Sequence, residues 1–194
     1  MTSREKILAA VKKNQPATVE LRALNFAARI SIDLKEQFIK TLTGIGGSVI
    51  EVSDLKEVSK HIKSTFSEST RIVNTITDLN FEFEILNQKS NPHDFSNVTV
   101  VIMGGEFGVA ENGAIWLTDV NMGDQVLPYI CENLVLIINK NSIVPTLHEA
   151  YEKIGSSSYN LGTFLAGPSK TADIEQSLVL GAHGSKSLIV FLIS

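Results

Sequence analysis

Two short stretches of this 194-residue chain hold most of the residues whose types and spacing could do chemistry. The first runs Gly104-Gly105-Glu106-Phe107-Gly108-Val109-Ala110-Glu111-Asn112-Gly113. Its glycines permit positive φ angles and close approach of a ligand to the backbone. Glu106 and Glu111 lie among them. Two carboxylates in a partly closed site can hold different protonation states and divide acid and base roles. A Glu held on a glycine turn can also act as a covalent nucleophile. The competing reading is a plain hairpin, since Asn112-Gly113 favours a tight turn between strands.

The second stretch is Gly167-Pro168-Ser169-Lys170-Thr171-Ala172-Asp173-Ile174-Glu175, followed by Gly181-Ala182-His183-Gly184. A turn of this composition can offer backbone N–H groups, two hydroxyls and an ammonium to a carboxylate or phosphate. A short helix starting near Thr171 would strengthen such an anion site. The alternative is a capped turn with Ser169 or Thr171 as N-cap and Asp173 and Glu175 in the first helical turn. His183, flanked by small residues, can serve as a general base, donate to a carboxylate, or bond to backbone. The candidate catalytic groups are Glu111, His183, Asp173 and Glu175. The candidate anion-binding positions are Gly104, Glu106, Gly113, Ser169, Lys170 and Thr171.

Other residues suit structural roles. His61, His93 and His148 have no metal-ligand spacing, so no metal site is expected. Gly44-Ile45-Gly46-Gly47 follows a helix and precedes a strand, the reverse of a dinucleotide loop, and reads as a helix C-cap. Trp116 reads as core or sheet face. The single cysteine, Cys131, reads as a small buried thiol. Iron–sulfur clusters take several thiolates, so this chain alone cannot hold one.

The elements that must position these groups alternate between strands and amphipathic helices. Thr2 and Glu5 have capping-box spacing ahead of a first helix. Further helices are predicted over Asp33–Thr43, from Asp54 (with Leu55, Val58, Ile62 and Phe66 as its apolar stripe), and over Thr146–Ile154. Predicted strands are Ser48–Val52, Arg71–Thr75, Val98–Met103, Ala114–Thr118, Leu134–Asn139, Phe164–Ala166, Leu178–Leu180 and Leu188–Ile193. Alternation at Phe81, Phe83 and Ile85 suggests one more. This order indicates an α/β fold with a mainly parallel sheet flanked by helices. Ligands of such sheets bind beyond the carboxyl ends of the strands. Residues 1–32 read as a helix and connecting arm, and 33–194 as the α/β domain.

Bulk properties narrow the function. Apolar residues make up 43% and charged residues 20%, an ordinary globular balance. The formal charge of -4 argues against nucleic acid as a partner. The start of the chain is polar, and the most apolar run, Leu188–Ile193, is too short for a membrane span. A cytoplasmic location without membrane insertion is expected, and base rates favour a homodimer.

Both motif stretches resemble the LUD-domain family of the lactate-utilisation protein C type. Family members read Val-Asp-Val-Gly-Val-Thr-Gly-Ala-Asp-x-Ala-Ile-Ala-Glu-Thr-Gly where this chain has Val98 to Gly113. Gly104, the acid at Glu106, Ala110, Glu111 and Gly113 match. Gly167 to Gly184 is similar to the family's Gly-Pro-Ser-x-Thr-Ala-Asp-Ile-Glu and Gly-x-His-Gly-Pro. Asn112, Met103 and Ser185 depart from the pattern, where the family has Thr, Thr and Pro. The resemblance extends from about Leu34 to the C-terminus.

It implies a fold like that of ribose-phosphate isomerase and CoA transferases. It also implies an accessory or substrate-handling role in oxidising L-lactate to pyruvate, beside partner subunits that carry iron–sulfur clusters, with no cofactor bound by this chain alone. Two alternatives stand beside it. Ala110-Glu111-Asn112-Gly113 is similar to the Ser-Glu-Asn-Gly turn of CoA transferases, which would make Glu111 the nucleophile of an acyl-CoA transferase-like enzyme. A non-catalytic assembly subunit, docking through Asn14–Ser31, is the other.

Overall fold

The structure is a computed structural model and describes residues 2–20, 33–68, 71–79, 84–85, 91–172 and 178–194. The chain divides into two compact units, Met1–Ser31 and Ile32–Ser194. In the first, α1 (Ser3–Lys13) starts from the expected capping box. The Thr2 hydroxyl accepts from the Glu5 N–H, and Glu5 accepts from the Thr2 N–H at 2.7 Å. Lys12 and Lys13 occupy its last turn, where they favour the helix dipole, and none of its residues is buried.

In the second unit, α2 (Leu34–Gly44) leads to β1 (Ser48–Val52), α3 (Leu55–Thr65), β2 (Ile72–Asn74) and β3 (Glu84–Ile85). Asp33 and Asp54 cap α2 and α3 by accepting backbone N–H groups at 2.8 to 3.3 Å. Then follow β4 (Val100–Gly104), β5 (Phe107–Val109), β6 (Ala114–Thr118), the single turns α4 (Asp119–Met122) and α5 (Leu127–Ile130), and β7 (Asn133–Asn139). The chain ends with α6 (Leu147–Ile154), β8 (Gly162–Leu165), β9 (Lys170–Ala172), β10 (Leu178–Leu180) and β11 (Ser187–Ile193).

Six strands form a parallel sheet in the order β1-β11-β7-β4-β2-β3. Its central strands are apolar on both faces, as a sheet covered on two sides requires. Val100, Ile102, Val135, Ile137 and Phe191 face one way and pack with Val58 and Ile62 of α3. Val101, Met103, Leu136, Ile138, Val190 and Leu192 face the other way and pack with Phe38 and Leu42 of α2. At the sheet edge, Arg71 grips both carboxylate oxygens of Glu84 at 2.7 Å. That hydrogen bond holds Glu84 below the usual carboxylate range.

Ala114–Thr118 and the strand starting near Phe164 do not join the parallel sheet. With Phe107–Val109, which the sequence pattern misses, they form a separate antiparallel sheet, β5-β6-β8. The physical reason is the short turn between β5 and β6, which cannot make the long crossover that parallel pairing needs. Ile115 and Leu117 face the main core, while Ala114 and Trp116 face α6 with Phe107, Val109, Ala150 and Ile154. The domain is thus layered as α3, parallel sheet, α2 with the small sheet, and α6.

A second difference concerns Thr171. The helix expected to begin there is a strand: Lys170–Ala172 pairs antiparallel with Leu178–Leu180. Asp173 and Glu175, like Phe81 and Phe83, lie outside the described residues. Among the described residues no helix is long and apolar enough to cross a membrane.

Candidate functional site

The glycine-rich stretch after β4 is first of all a packing device. A Cβ on Gly105 would lie 2.6 Å from Ile115 and 2.7 Å from Ile138, and one on Gly108 would lie 2.9 Å from Phe38. Both glycines let the small sheet press onto the core. Gly113 closes the β5–β6 hairpin at φ +69° and abuts the backbone of Leu42. Its N–H donates to Val109 O at 2.9 Å, and Asn112 Oδ1 accepts from the Ala114 N–H at 3.0 Å. This turn is the plain hairpin that the sequence offered as its competing reading, four residues long rather than two. Of the four glycines in this stretch, Gly104 is the one with open space at its Cβ position.

The two carboxylates part company. Glu111 Oε2 accepts from the Leu147 N–H at 2.8 Å, at the start of α6, where a negative charge is favoured. Glu106 instead lies beyond the carboxyl end of β4. Its Oε1 accepts from Asn121 Nδ2 at 3.0 Å. Asn121 Oδ1 in turn accepts from Thr118 N–H and Oγ1 at 2.8 and 3.0 Å, and its carbonyl accepts from Thr75 Oγ1 at 2.8 Å. This chain of bonds fixes Glu106 at the rim of a cleft of about 350 Å³.

The cleft was not foreseen from the sequence. Phe107, Trp116 and Ile154 form its buried floor, and Glu106, Lys153, Ser157, Ser158 and Tyr159 its polar rim. The Lys153 ammonium sits 4.8 Å from the centre of the Phe107 ring, a cation–π contact. Trp116 packs on Phe164 at 4.7 Å and edge-on to Tyr159 at 5.4 Å. The loop carrying Tyr159 is held by Asp119, whose carboxylate accepts from Asn160 Nδ2 at 2.7 Å and from the backbone N–H groups of Asn160 and Leu161. The Asn160 side chain, ahead of those N–H groups, keeps Asp119 below the usual carboxylate range.

The second motif forms a different pocket, of about 370 Å³, at the amino ends of strands in the parallel sheet. Ser169, Lys170, Thr171, His183, Gly184 and Ser185 line it, with Tyr129 and Leu134. It lies at the amino end of β11, where Ser187 is paired with Asn133. The Ser169 N–H donates to Ser185 O at 2.9 Å, and the Gly181 N–H donates to Ser169 O at 3.1 Å. Thr171 Oγ1 reaches Val179 O at 3.5 Å. Lys170 donates to Ile45 O just past the end of α2, where a cation complements the helix dipole. Ser169, Lys170, Thr171 and His183 therefore come together. Glu106 and Glu111 do not join them, although Gly113 and Lys170 both touch the end of α2.

At the departures from the family pattern, Asn112 bonds the Ala114 N–H and Met103 is fully buried in the core. Ser185 is buried and accepts from the Ser169 N–H through its backbone carbonyl, and nothing in the structure explains its side chain. Cys131 is 2% exposed, and burial pushes its thiol up to about 12. A thiol reagent at pH 8 is therefore expected to leave the native protein unlabelled and to label one site per chain once denaturant is added, as mass spectrometry would read.

A covered parallel sheet with a small antiparallel sheet docked on it, and loops gathered at both ends of its strands, defines an α/β domain with ligand-sized hollows. A solved DUF162 family protein from Deinococcus radiodurans has the same fold, with a TM-score of 0.68 over 84% of this chain and 97% of that one, at 19% identity. Residues 80–193 match the LUD domain model, more than half of the chain, which therefore belongs to the LUD domain family.

Among curated relatives, lactate utilization protein C 1 of Bacillus mycoides is 29% identical over 159 residues, covering 77% of this chain and 66% of that protein. Lactate utilization protein C of Geobacillus thermodenitrificans is 34% identical over 92 residues, 44% of this chain and 38% of that protein. The Bacillus subtilis protein of the same name is 28% identical over 158 residues, 77% and 63% of the two chains. Each alignment leaves a third or more of the relative's length unmatched.

Proposed function

We propose that this chain serves lactate utilization as the substrate-handling or accessory component of a system that oxidises L-lactate to pyruvate. Membership of the LUD domain family, with relatives named for lactate utilization, carries this reading. Turning a 2-hydroxy acid into a 2-oxo acid breaks the O–H and C2–H bonds and releases two protons and two electrons. The electrons need an acceptor. The one cysteine of this chain is buried with a raised pKa, so cluster ligation falls to iron–sulfur partner subunits.

The pocket of Ser169, Lys170, Thr171 and His183 is the part of this reading that touches substrate. Two hydroxyls, an ammonium and an imidazole suit a small carboxylate, and the same donors would accept a phosphate. The test is reconstitution with the cysteine-rich oxidoreductases that co-purify with this chain from its own cell. Lactate-dependent dye reduction is expected to fall at least about tenfold when the chain is omitted, equivalent to about 1.4 kcal/mol in the barrier. It should fall again with a Lys170→Met, His183→Ala double variant that still assembles. Unchanged reduction on omission sinks the proposal.

A further inference from the structure

The cleft lined by Glu106 and Lys153 has features that neither the pocket of Ser169 and His183 nor the fold explains. Glu106 and Lys153 both line it, yet among the described residues they form no ion pair with each other. The Lys153 ammonium rests on an aromatic face and has no carboxylate within ion-pair distance among the described residues. The hydroxyls of Ser157 and Ser158 stand on the same rim. Beneath this polar mouth lies an apolar floor, with Phe107 3%, Trp116 7% and Ile154 6% exposed. One charge of each sign above an apolar floor, in a hollow at the small end of the ligand-pocket range, describes a ligand of matching form.

We propose that this cleft is a second ligand site, separate from the pocket of Ser169 and His183, that binds a free α-amino acid with an apolar side chain. The ligand carboxylate pairs with Lys153 and the serine hydroxyls. Its ammonium pairs with Glu106, which Asn121 holds in place. Its side chain covers the floor of Phe107, Trp116 and Ile154. A simple hydroxy acid such as lactate satisfies only half of the site, because its single negative charge pairs with Lys153 but meets an uncompensated carboxylate in Glu106. Selectivity for the zwitterion follows from that repulsion as much as from the attraction.

Trp116 is the only tryptophan in the sequence, so its emission reports the cleft without a label. The full-length chain is titrated with L-leucine, followed by fluorescence and, in parallel, by calorimetry. Saturable binding is expected. Removing either charge from the ligand, with 4-methylpentanoate or 3-methylbutylamine, should weaken it about tenfold or more, since a charge-assisted hydrogen bond is lost. L-lactate should bind at least as poorly as these. Lys153→Met and Glu106→Gln should each weaken leucine by a similar factor while far-UV circular dichroism stays native.

No saturable heat or emission change at tens of millimolar leucine overturns the proposal. So does lactate binding as well as leucine, or variants that bind undiminished. The assay uses this chain alone, without oxidoreductase partners, so its failure is distinct from failure of the lactate-oxidation reading.

Discussion

Alanine at Gly105 is expected to destabilise the fold by about 2–3 kcal/mol, read as a lower midpoint of urea unfolding with an unchanged slope. The new methyl would lie 2.6 Å from Ile115 Cγ2 and 2.7 Å from Ile138 Cγ2. These are branched carbons of side chains that are 0% and 1% exposed, so neither has an empty volume to move into. One belongs to the small sheet and the other to the parallel sheet, so relief requires the two sheets to separate. Gly104→Ala is the built-in comparison. Nothing lies within 4 Å of its Cβ position, and that substitution should be close to neutral. Equal effects at the two neighbours would mean that sheet-to-sheet contact does not set the glycine requirement.

That contrast also explains which parts of the site were legible. Glycine admits close approach, but the sequence does not say what approaches. At Gly105 and Gly108 the neighbours are Ile115, Ile138 and Phe38, which lie far from those glycines along the chain or on another element. Lys170 raises the same difficulty. An ammonium beside two hydroxyls looks like an anion clamp, yet one of its bonds goes to Ile45 O, 125 residues away. Lys153 and the serines after Gly155 carried no warning, because a lysine near a helix end followed by a polar loop is commonplace. Only the fold lays Lys153 over Phe107 and gathers the serines around the same cleft.

The elements themselves were far more legible, for a local reason. Asp33, Asp54 and Thr146 cap the three helices they precede, and β4, β7 and β11 each contain an unbroken apolar run. β5 left no such trace. Its three residues include a glycine, and its partner is chosen by the hairpin rather than by its own pattern.

Gly162→Ala should produce the largest joint effect on stability and on the cleft. A Cβ there would lie 2.3 Å from Trp116 Cη2, 2.4 Å from Cζ2 and 2.9 Å from Tyr159 Cε2. These are ring atoms, so no single bond rotation near the end of a flexible chain can clear the space. The indole would have to leave its place against Phe164 and Tyr159 or force β8 away from β6. A cost of about 3 kcal/mol is expected, at the upper end of ordinary overpacking. Trp116 emission should shift to the red as water reaches the ring.

Asp119→Asn separates the two consequences. It weakens the anchoring of the loop that carries Tyr159 but leaves the packing of Trp116 on Phe164 in place. The Trp116 emission maximum should therefore move less than in Gly162→Ala while leucine binding falls. If Gly162→Ala kept both the parent midpoint and the parent emission, Trp116 would have room that this packing denies it, and the cleft would lack the rigid floor that zwitterion selectivity requires.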